Sequence, residues 1–438
     1  MQEYDITIKN GTLISMDEQC SVIENATIHI YKDTIVYVGN SNIPPDPAKN
    51  VIDARGGLIL PGLVNGHTHA AMTLFRGLAD DLPLMDWLNH YIFPAESRMD
   101  EDFVYTGSLL ACAEMILSGT TTFCDMYLFE DQVARAAATA GLRAVVGEVL
   151  YDFPSPNYGD LEKGFQYTQM LMDKWADHPL ITIAVEPHSL FTCHPTLLTR
   201  ANDMALEAGA PLIIHVAETL SEVADIREKY GRTPVDHLAA LGLLSPHLIA
   251  DHAVHINDTE IDQLAAHGVR VVINPESNMK LASGIAPVPK LLTRGVTVGL
   301  GTDGCASNNN LDLFGEMDTA AKVQKVTSMD PTVMDATTVL KMATIEGARA
   351  LGLDHLTGSI EVGKKADIIV VDTDKPHLTP MFNPFSHLVY AAKGNDVVHS
   401  IINGRVVLRD RHLNTMDLED VMSRAREKAG HVVNWVGK

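Results

Sequence analysis

The stretch "GLGTDGCASN", residues 299–308, follows an apolar segment and spaces its glycines as G-x-G-x-x-G at 299, 301 and 304. A dinucleotide loop would place those glycines in the turn of a βαβ unit, with an acid ~20 residues later to hold the ribose. Counting that far lands in "AAKVQKVTSM", which has no acid; Glu316 and Asp318 come too early, and Gly299 falls inside the strand. The reading that remains is a strand ending in Asp303, with Gly301 and Gly304 making room for that acid and a ligand.

Seven further runs of the same style lie upstream: "LILPGLVNGHTH" (58–69), "TTFCDM" (121–126), "LRAVVGEVL" (142–150), "ITIAVEPHS" (181–189), "PLIIHVAE" (211–218), "LIADHAVH" (248–255) and "VRVVINPES" (269–277). Longer helix-like stretches, such as "DEDFVYTGSLLACAEMILSG" and "ATTVLKMATIEGARALG", are interspersed among and after them. Continuous apolar strands separated by helices indicate a parallel sheet buried on both faces. Eight such units predict a (β/α)8 TIM barrel. Both chain ends alternate instead, as short antiparallel strands do. "YDITIKNGTLIS" and "ATIHIYKDTIVYVG" carry turn residues at Lys9-Asn10-Gly11 and Tyr31-Lys32-Asp33, and "VVHSIINGRVVL" carries a hairpin signal at Asn403-Gly404. The expected organisation is α/β. Residues 1–59 supply the N-terminal part of a small β-sandwich, 60–365 the metal-dependent barrel, and 366–438 the C-terminal part of the sandwich plus a terminal helix.

Barrel active sites form at the C-terminal ends of the strands. Here those ends are titratable: His67 and His69, then Glu186 and His188, His215 and Glu218, His252 and His255, and Asp303. Residues two apart on a strand project to one side, so His67 and His69 can grip one ion. His215 and Asp303 would complete a set of three nitrogens and one carboxylate oxygen. Donors of this kind without sulfur suit one Zn2+, with Fe2+ or Mn2+ not excluded.

The bulk properties set limits. The chain has 438 residues, 46% of them hydrophobic, and a formal net charge of -23. That charge opposes phosphate backbones and anionic membranes and favours a small neutral substrate. No apolar run reaches the ~18 residues of a membrane span, and the N-terminus lacks a secretory pattern. The five cysteines, Cys20, Cys112, Cys124, Cys193 and Cys305, are scattered, as in a reducing cytoplasm. The expectation is a cytoplasmic enzyme with no nucleic-acid or membrane partner. A homo-oligomer is compatible with the sequence.

The motifs "LPGLVNGHTH", "HVAET", "GTDGCASNNNLDLF" and "GSIEVGKKADIIVVD" resemble the amidohydrolase superfamily. "HAAMTLFRGLADDLPLMDWL" followed by "FPAE" is similar to its 5'-methylthioadenosine/S-adenosylhomocysteine deaminase branch. The resemblance spans nearly the whole chain. It implies one divalent metal on His67, His69, His215 and Asp303; relatives with two metals bridge them by a lysine at the end of strand four, and "ITIAVEPHS" has none. It implies Glu218 as general acid/base, His252 beside the reacting water, Asp303 as acceptor of the water's proton, and substrate contacts from Glu96, His188 and Glu218, with Glu96 at the ribose hydroxyls. The implied reaction is hydrolytic deamination of a 5'-substituted adenosine to the inosine analogue and ammonia. Alternatives within the scaffold are another amino- or chloro-substituted heterocycle, or aminodeoxyfutalosine. Members acting on S-adenosylhomocysteine hold its amino-acid end with arginines after the third strand. No arginine occurs between Arg143 and Arg200, and Glu148 stands where one might sit. A negative Glu148 would repel a carboxylate, so 5'-methylthioadenosine is favoured, with Arg76 or Lys163 as the groups that could still accept a carboxylate. Met72, Phe75 and Trp87 are candidates for walling the purine.

Overall fold

The computed structural model describes residues 3–40, 48–82 and 84–435. The eight apolar runs become eight barrel strands: Leu63–Thr68, Thr120–Tyr127, Arg143–Leu150, the pair Ile181–Ile183 and Glu186–Pro187, Leu212–Val216, Leu248–His252, Arg270–Ile273 and Val298–Leu300. Within each half the neighbours pair in parallel. Single bridges, Val185 with Leu212 and Ser189 with His215, join the fourth strand to the fifth. The last strand meets the first without a ladder. A side chain takes the ladder's place: Asn65 accepts from the Thr302 amide at 2.9 Å and donates to its hydroxyl at 2.8 Å, and the Asp303 amide donates to the His67 carbonyl at 2.9 Å.

The two chain ends meet in one nine-stranded sheet that wraps its own apolar core. The joint is the strand Leu58–Pro61, parallel to Tyr4–Ile14 on one side and antiparallel to Ile368–Val371 on the other. Side chains alternate along these strands. Leu58 and Leu60 enter the barrel's core while Ile59 enters the outer core, and Ile369 and Val371 alternate with Ile368 and Val370 in the same way. Both faces are buried, so these strands read as unbroken apolar runs. We keep 1–59, 60–365 and 366–438 as our proposal for the units, although the first joint strand runs across residue 59.

Two local expectations are corrected or refined, and two hairpin turns stand. Lys9-Asn10-Gly11 is not a turn. The strand Tyr4–Ile14 runs through it with a register shift, Asn10 taking φ 60°, which is how a bulge absorbs an extra residue. Tyr31-Lys32-Asp33 and Asn403-Gly404 do turn hairpins. The stretch "ATTVLKMATIEGARALG" forms two helices, Ala336–Met342 and Ile345–Ala350. The break falls where the Ala343 carbonyl accepts from the Val64 amide of the first barrel strand at 2.8 Å. The terminal helix Leu418–Trp435 packs on the barrel helix Glu101–Leu117, with Trp435 against Phe103 at 5.2 Å between ring centroids.

Barrel and outer sheet are locked by a buried ion pair. Arg143 Nε lies 2.8 Å from Asp367 Oδ2, both side chains almost wholly enclosed, and the Asn403 amide donates to Asp367 Oδ1 at 2.6 Å. Removing one partner of such a pair leaves an uncompensated charge. Asp367→Ala is therefore expected to cost about 3–5 kcal/mol, read as a lower denaturant midpoint of unfolding; an unchanged midpoint would show that the lock carries no stability.

Candidate metal centre and substrate cavity

His67 lies near the end of the first barrel strand and His69 one residue past it; His215 is on the fifth strand and Asp303 just beyond the eighth. Strand order and barrel closure bring all four to one point. His67 Nε2 is 3.2 Å from His215 Nε2 and 3.8 Å from Asp303 Oδ1, and His69 Nε2 is 3.2 Å from the same oxygen. Gly301 and Gly304 permit this closure by leaving room for the first strand and the short helical turn Ala70–Phe75 after it. A Cβ at 301 would stand 2.8 Å from the His67 amide nitrogen, and one at 304 would stand 2.7 Å from Met72 Sδ. Asp303 itself sits in the left-handed region, φ 63°, a conformation that non-glycine residues adopt at a cost and that clusters at functional sites.

The outer nitrogen of each of the three rings faces an acceptor. His69 Nδ1 is hydrogen-bonded to the Met126 carbonyl at 2.5 Å and His215 Nδ1 to the His188 carbonyl at 2.7 Å, and His67 Nδ1 lies 3.0 Å from Asp251 Oδ2, an ion-pair distance outside hydrogen-bond geometry. A neutral imidazole that gives its one N–H outward keeps a bare lone pair at Nε2. Two such lone pairs converge at His67 and His215, and His69 Nε2 meets Asp303 Oδ1, where, against burial, the carboxylate raises the ring to about 9, so that an ion bound there displaces a proton. Two bare nitrogens 3.2 Å apart cannot bond each other and are satisfied by a cation between them. The donor set fits a single Zn2+-class ion.

A second trio, His67, His215 and His252, also brings its nitrogens within 4.8 Å of one another. His252 differs from the other rings in its surroundings: its Nδ1 faces the side-chain amides of Asn278 at 2.9 Å and Asn274 at 3.3 Å. Its Nε2 lies 4.0 Å from Glu218 Oε2. Glu218 accepts from the Ser283 hydroxyl at 3.2 Å. Its backbone is held by Glu222, whose carboxylate accepts from the Ala217 and Glu218 amides at 2.9 and 2.8 Å. Burial pushes the Glu222 carboxyl up to about 7, against those two amide bonds.

The cluster floors a cavity open to solvent. Glu96 and His188 stand in its wall with Glu218 and His252. Burial raises the Glu96 carboxyl to about 6, with the 2.7 Å hydrogen bond from the Tyr127 hydroxyl pulling the other way. Burial, and then the neighbouring imidazoles, push His188 down to about 3, so that ring is neutral. Trp87, Phe93, Tyr151, Phe153 and Phe191 contribute an aromatic lining, with Tyr151 and Phe153 stacked at 3.9 Å. Among the described residues that line the cavity none is lysine or arginine.

Met72 and Trp87 line the cavity as expected; Phe75 does not, being buried against Phe103. Glu148 needs correction. It does not face the substrate: it is fully enclosed, accepting from the Glu130 amide at 3.0 Å and from Asn157 Nδ2 at 2.8 Å. Arg76 is committed to Glu114 and the Asn309 carbonyl. Glu186 is enclosed in the barrel over Gly147, and burial pushes its carboxyl well up. Sequence reasoning missed Asp251, Glu222, Tyr127 and the trio Asn274, Ser277 and Asn278. The trio carried a signal, because polar residues at i, i+3 and i+4 beyond an apolar strand share one helix face.

Residues 58–407 match the amidohydrolase family, and the chain belongs to it. A 5-methylthioadenosine/S-adenosylhomocysteine deaminase of Syntrophobacter fumaroxidans is 58% identical over 424 residues, 96% of this chain and 97% of the relative. A 5'-deoxyadenosine deaminase of Methanosarcina acetivorans is 47% identical over 431 residues, 98% of each chain. The crystal structure of an adenosine deaminase from Xanthomonas campestris with bound zinc superposes with a TM-score of 0.97 at 39% identity, covering 99% of each chain.

Asp251 orients a ring whose lone pair must face the ion, and losing such a partner typically weakens metal binding 10–100-fold. Asp251→Asn is expected to do so in chelator competition; unchanged affinity would remove Asp251 from that role.

Proposed function

We propose that this chain is a zinc-dependent hydrolytic deaminase of 5'-substituted adenosines, releasing ammonia and the inosine analogue. The observation that carries the reading is the convergence of three outward-anchored imidazoles and Asp303 beside Glu218, on the floor of a cavity with an aromatic wall. The deaminase relatives and the zinc-bound neighbour support it.

His67, His69, His215 and Asp303 would hold the ion, which when bound acts as a Lewis acid and lowers the pKa of a water. Asp303 takes the proton of the attacking water, and His252 orients that water toward C6 of the adenine. Glu218 gives a proton to the ring nitrogen as the tetrahedral centre forms, which limits charge on the purine. The proton on Asp303 passes to the amino group, the C6–N bond breaks to release ammonia, and the proton left on the C6 oxygen returns to Glu218 as the carbonyl forms. Glu96 accepts from the ribose hydroxyls, and neutral His188 contacts the nucleoside beside it.

The cavity lining supports a short, uncharged 5' group, with 5'-methylthioadenosine favoured. The zwitterionic end of S-adenosylhomocysteine would meet aromatic rings and no cation, and a buried carboxylate without a partner is costly. This replaces repulsion by Glu148 as the basis for the preference. The net charge of -23 supports a small-molecule partner over nucleic acid, and no described helix is long and apolar enough to cross a membrane.

Ammonia release is expected from 5'-methylthioadenosine with a higher kcat/KM than from S-adenosylhomocysteine, and Glu218→Gln should lower kcat by ~100-fold or more with metal retained. Failure of every adenosine to release ammonia, or near-normal turnover in Glu218→Gln, would overturn the reading. The Glu96 site gives a pH test. Below about 6 this carboxyl is mostly protonated and can no longer accept from both ribose hydroxyls as a carboxylate does, so KM should rise as pH falls through that value. Tyr127→Phe removes a bond that holds the pKa down and should move the rise to higher pH; identical KM profiles for the two proteins would contradict this.

A further inference from the structure

The four histidines around the cluster are not equivalent. Three present Nδ1 to oxygen acceptors; His252 presents Nδ1 to amide groups, Asn278 Nδ2 at 2.9 Å and Asn274 Nδ2 at 3.3 Å. An amide nitrogen only donates, so the Nδ1 it meets must be bare. A neutral imidazole with a bare Nδ1 carries its proton on Nε2. That atom is the one turned toward Glu218. Both asparagines are buried, and the side-chain amide nitrogen of each has His252 Nδ1 as its partner. The backbone supports the placement. His252 and Ala253 take φ 72° and 47°, which ends the strand's alternation and lets consecutive residues serve one site, Asp251 against His67 and His252 beside it. The short helix Pro275–Lys280 also carries Ser277, whose hydroxyl donates to Asp303 Oδ2 at 2.6 Å.

We propose that Asn278, seconded by Asn274, is a positioning residue that fixes His252 as the Nε2–H tautomer. The ring then offers the reacting water a hydrogen-bond donor and stays out of the metal's ligand set. The inference rests on the deaminase reading for its catalytic consequence, but the tautomer is a property of the chain itself.

The test uses protein labelled with 15N at histidine, zinc-loaded, with the ring-nitrogen signals of His252 assigned by comparison with a His252→Gln variant. The expected wild-type spectrum shows Nε2 protonated and Nδ1 bare. Asn278→Asp puts an acceptor where the donor stood, so Nδ1 becomes protonated, and kcat falls ~100-fold or more at unchanged zinc content and with little change in KM. Asn278→Ala leaves Asn274 as the remaining donor and loses about tenfold, the effect of one hydrogen bond. A wild-type ring protonated on Nδ1, as an amide turned end for end would give, overturns the proposal; so does wild-type kcat in Asn278→Asp. The wild-type spectrum decides the matter even if the variants fail to fold. A wild-type enzyme inactive on every adenosine would instead count against the deaminase reading and leave the tautomer to stand or fall by its spectrum.

Discussion

The site depends on the fact that an imidazole has one proton to give. When Met126, His188 and Asp251 supply acceptors behind His69, His215 and His67, the inner nitrogens of His67 and His215 are left as lone pairs aimed at each other, and that of His69 meets Asp303. Such a cluster is unfavourable without a cation and specific for one with nitrogen and oxygen preferences. The barrel exists, from the site's point of view, to fix those rings by their backs. Two of the three acceptors belong to the backbone of neighbouring strands, so the ligand geometry is bound to the strand register itself.

The polarity of the ring environments divides labour among residues of one type. Acceptors behind the ring make a ligand; donors behind it make a hydrogen-bond donor. The His252 ring centroid lies 5.5 Å from that of His67 and 5.4 Å from that of His215, yet the groups behind these rings differ in polarity. The same economy appears in the carboxyls. Glu218 stands in the cavity, while Glu222, four residues on, holds the Ala217–Glu218 backbone, and Glu148 anchors the start of the helix that precedes its own strand, Glu130–Ala140. Residue type alone does not separate these roles, but neighbours do.

That explains what the sequence could and could not reveal. The barrel was legible because parallel strands buried on both faces must be apolar throughout, and the ligand set because titratable residues follow those runs at the strand ends where barrel sites form. The outer sheet was legible from its turns, although Asn10 signalled a bulge in place of a turn, since φ > 0 serves both. The direction of a side chain at a strand end was not legible where the backbone leaves the regular strand. His252 at φ 72° departs from alternation, and Glu148 points into a helix N-terminus instead of into the cavity. Nor does a sequence show what stands behind a histidine: Asp251, Asn274 and Asn278 act on rings that only the closed barrel brings within reach.

We propose that one ion is bound by His67, His69, His215 and Asp303, with His252 outside the ligand set. Anomalous diffraction at the zinc edge from crystals of the metal-loaded protein tests it most directly. A single anomalous peak is expected within bonding distance of those four side chains, with His252 Nε2 beyond it. A peak bonded to His252 in place of one of them, or two peaks of equal strength, would contradict it.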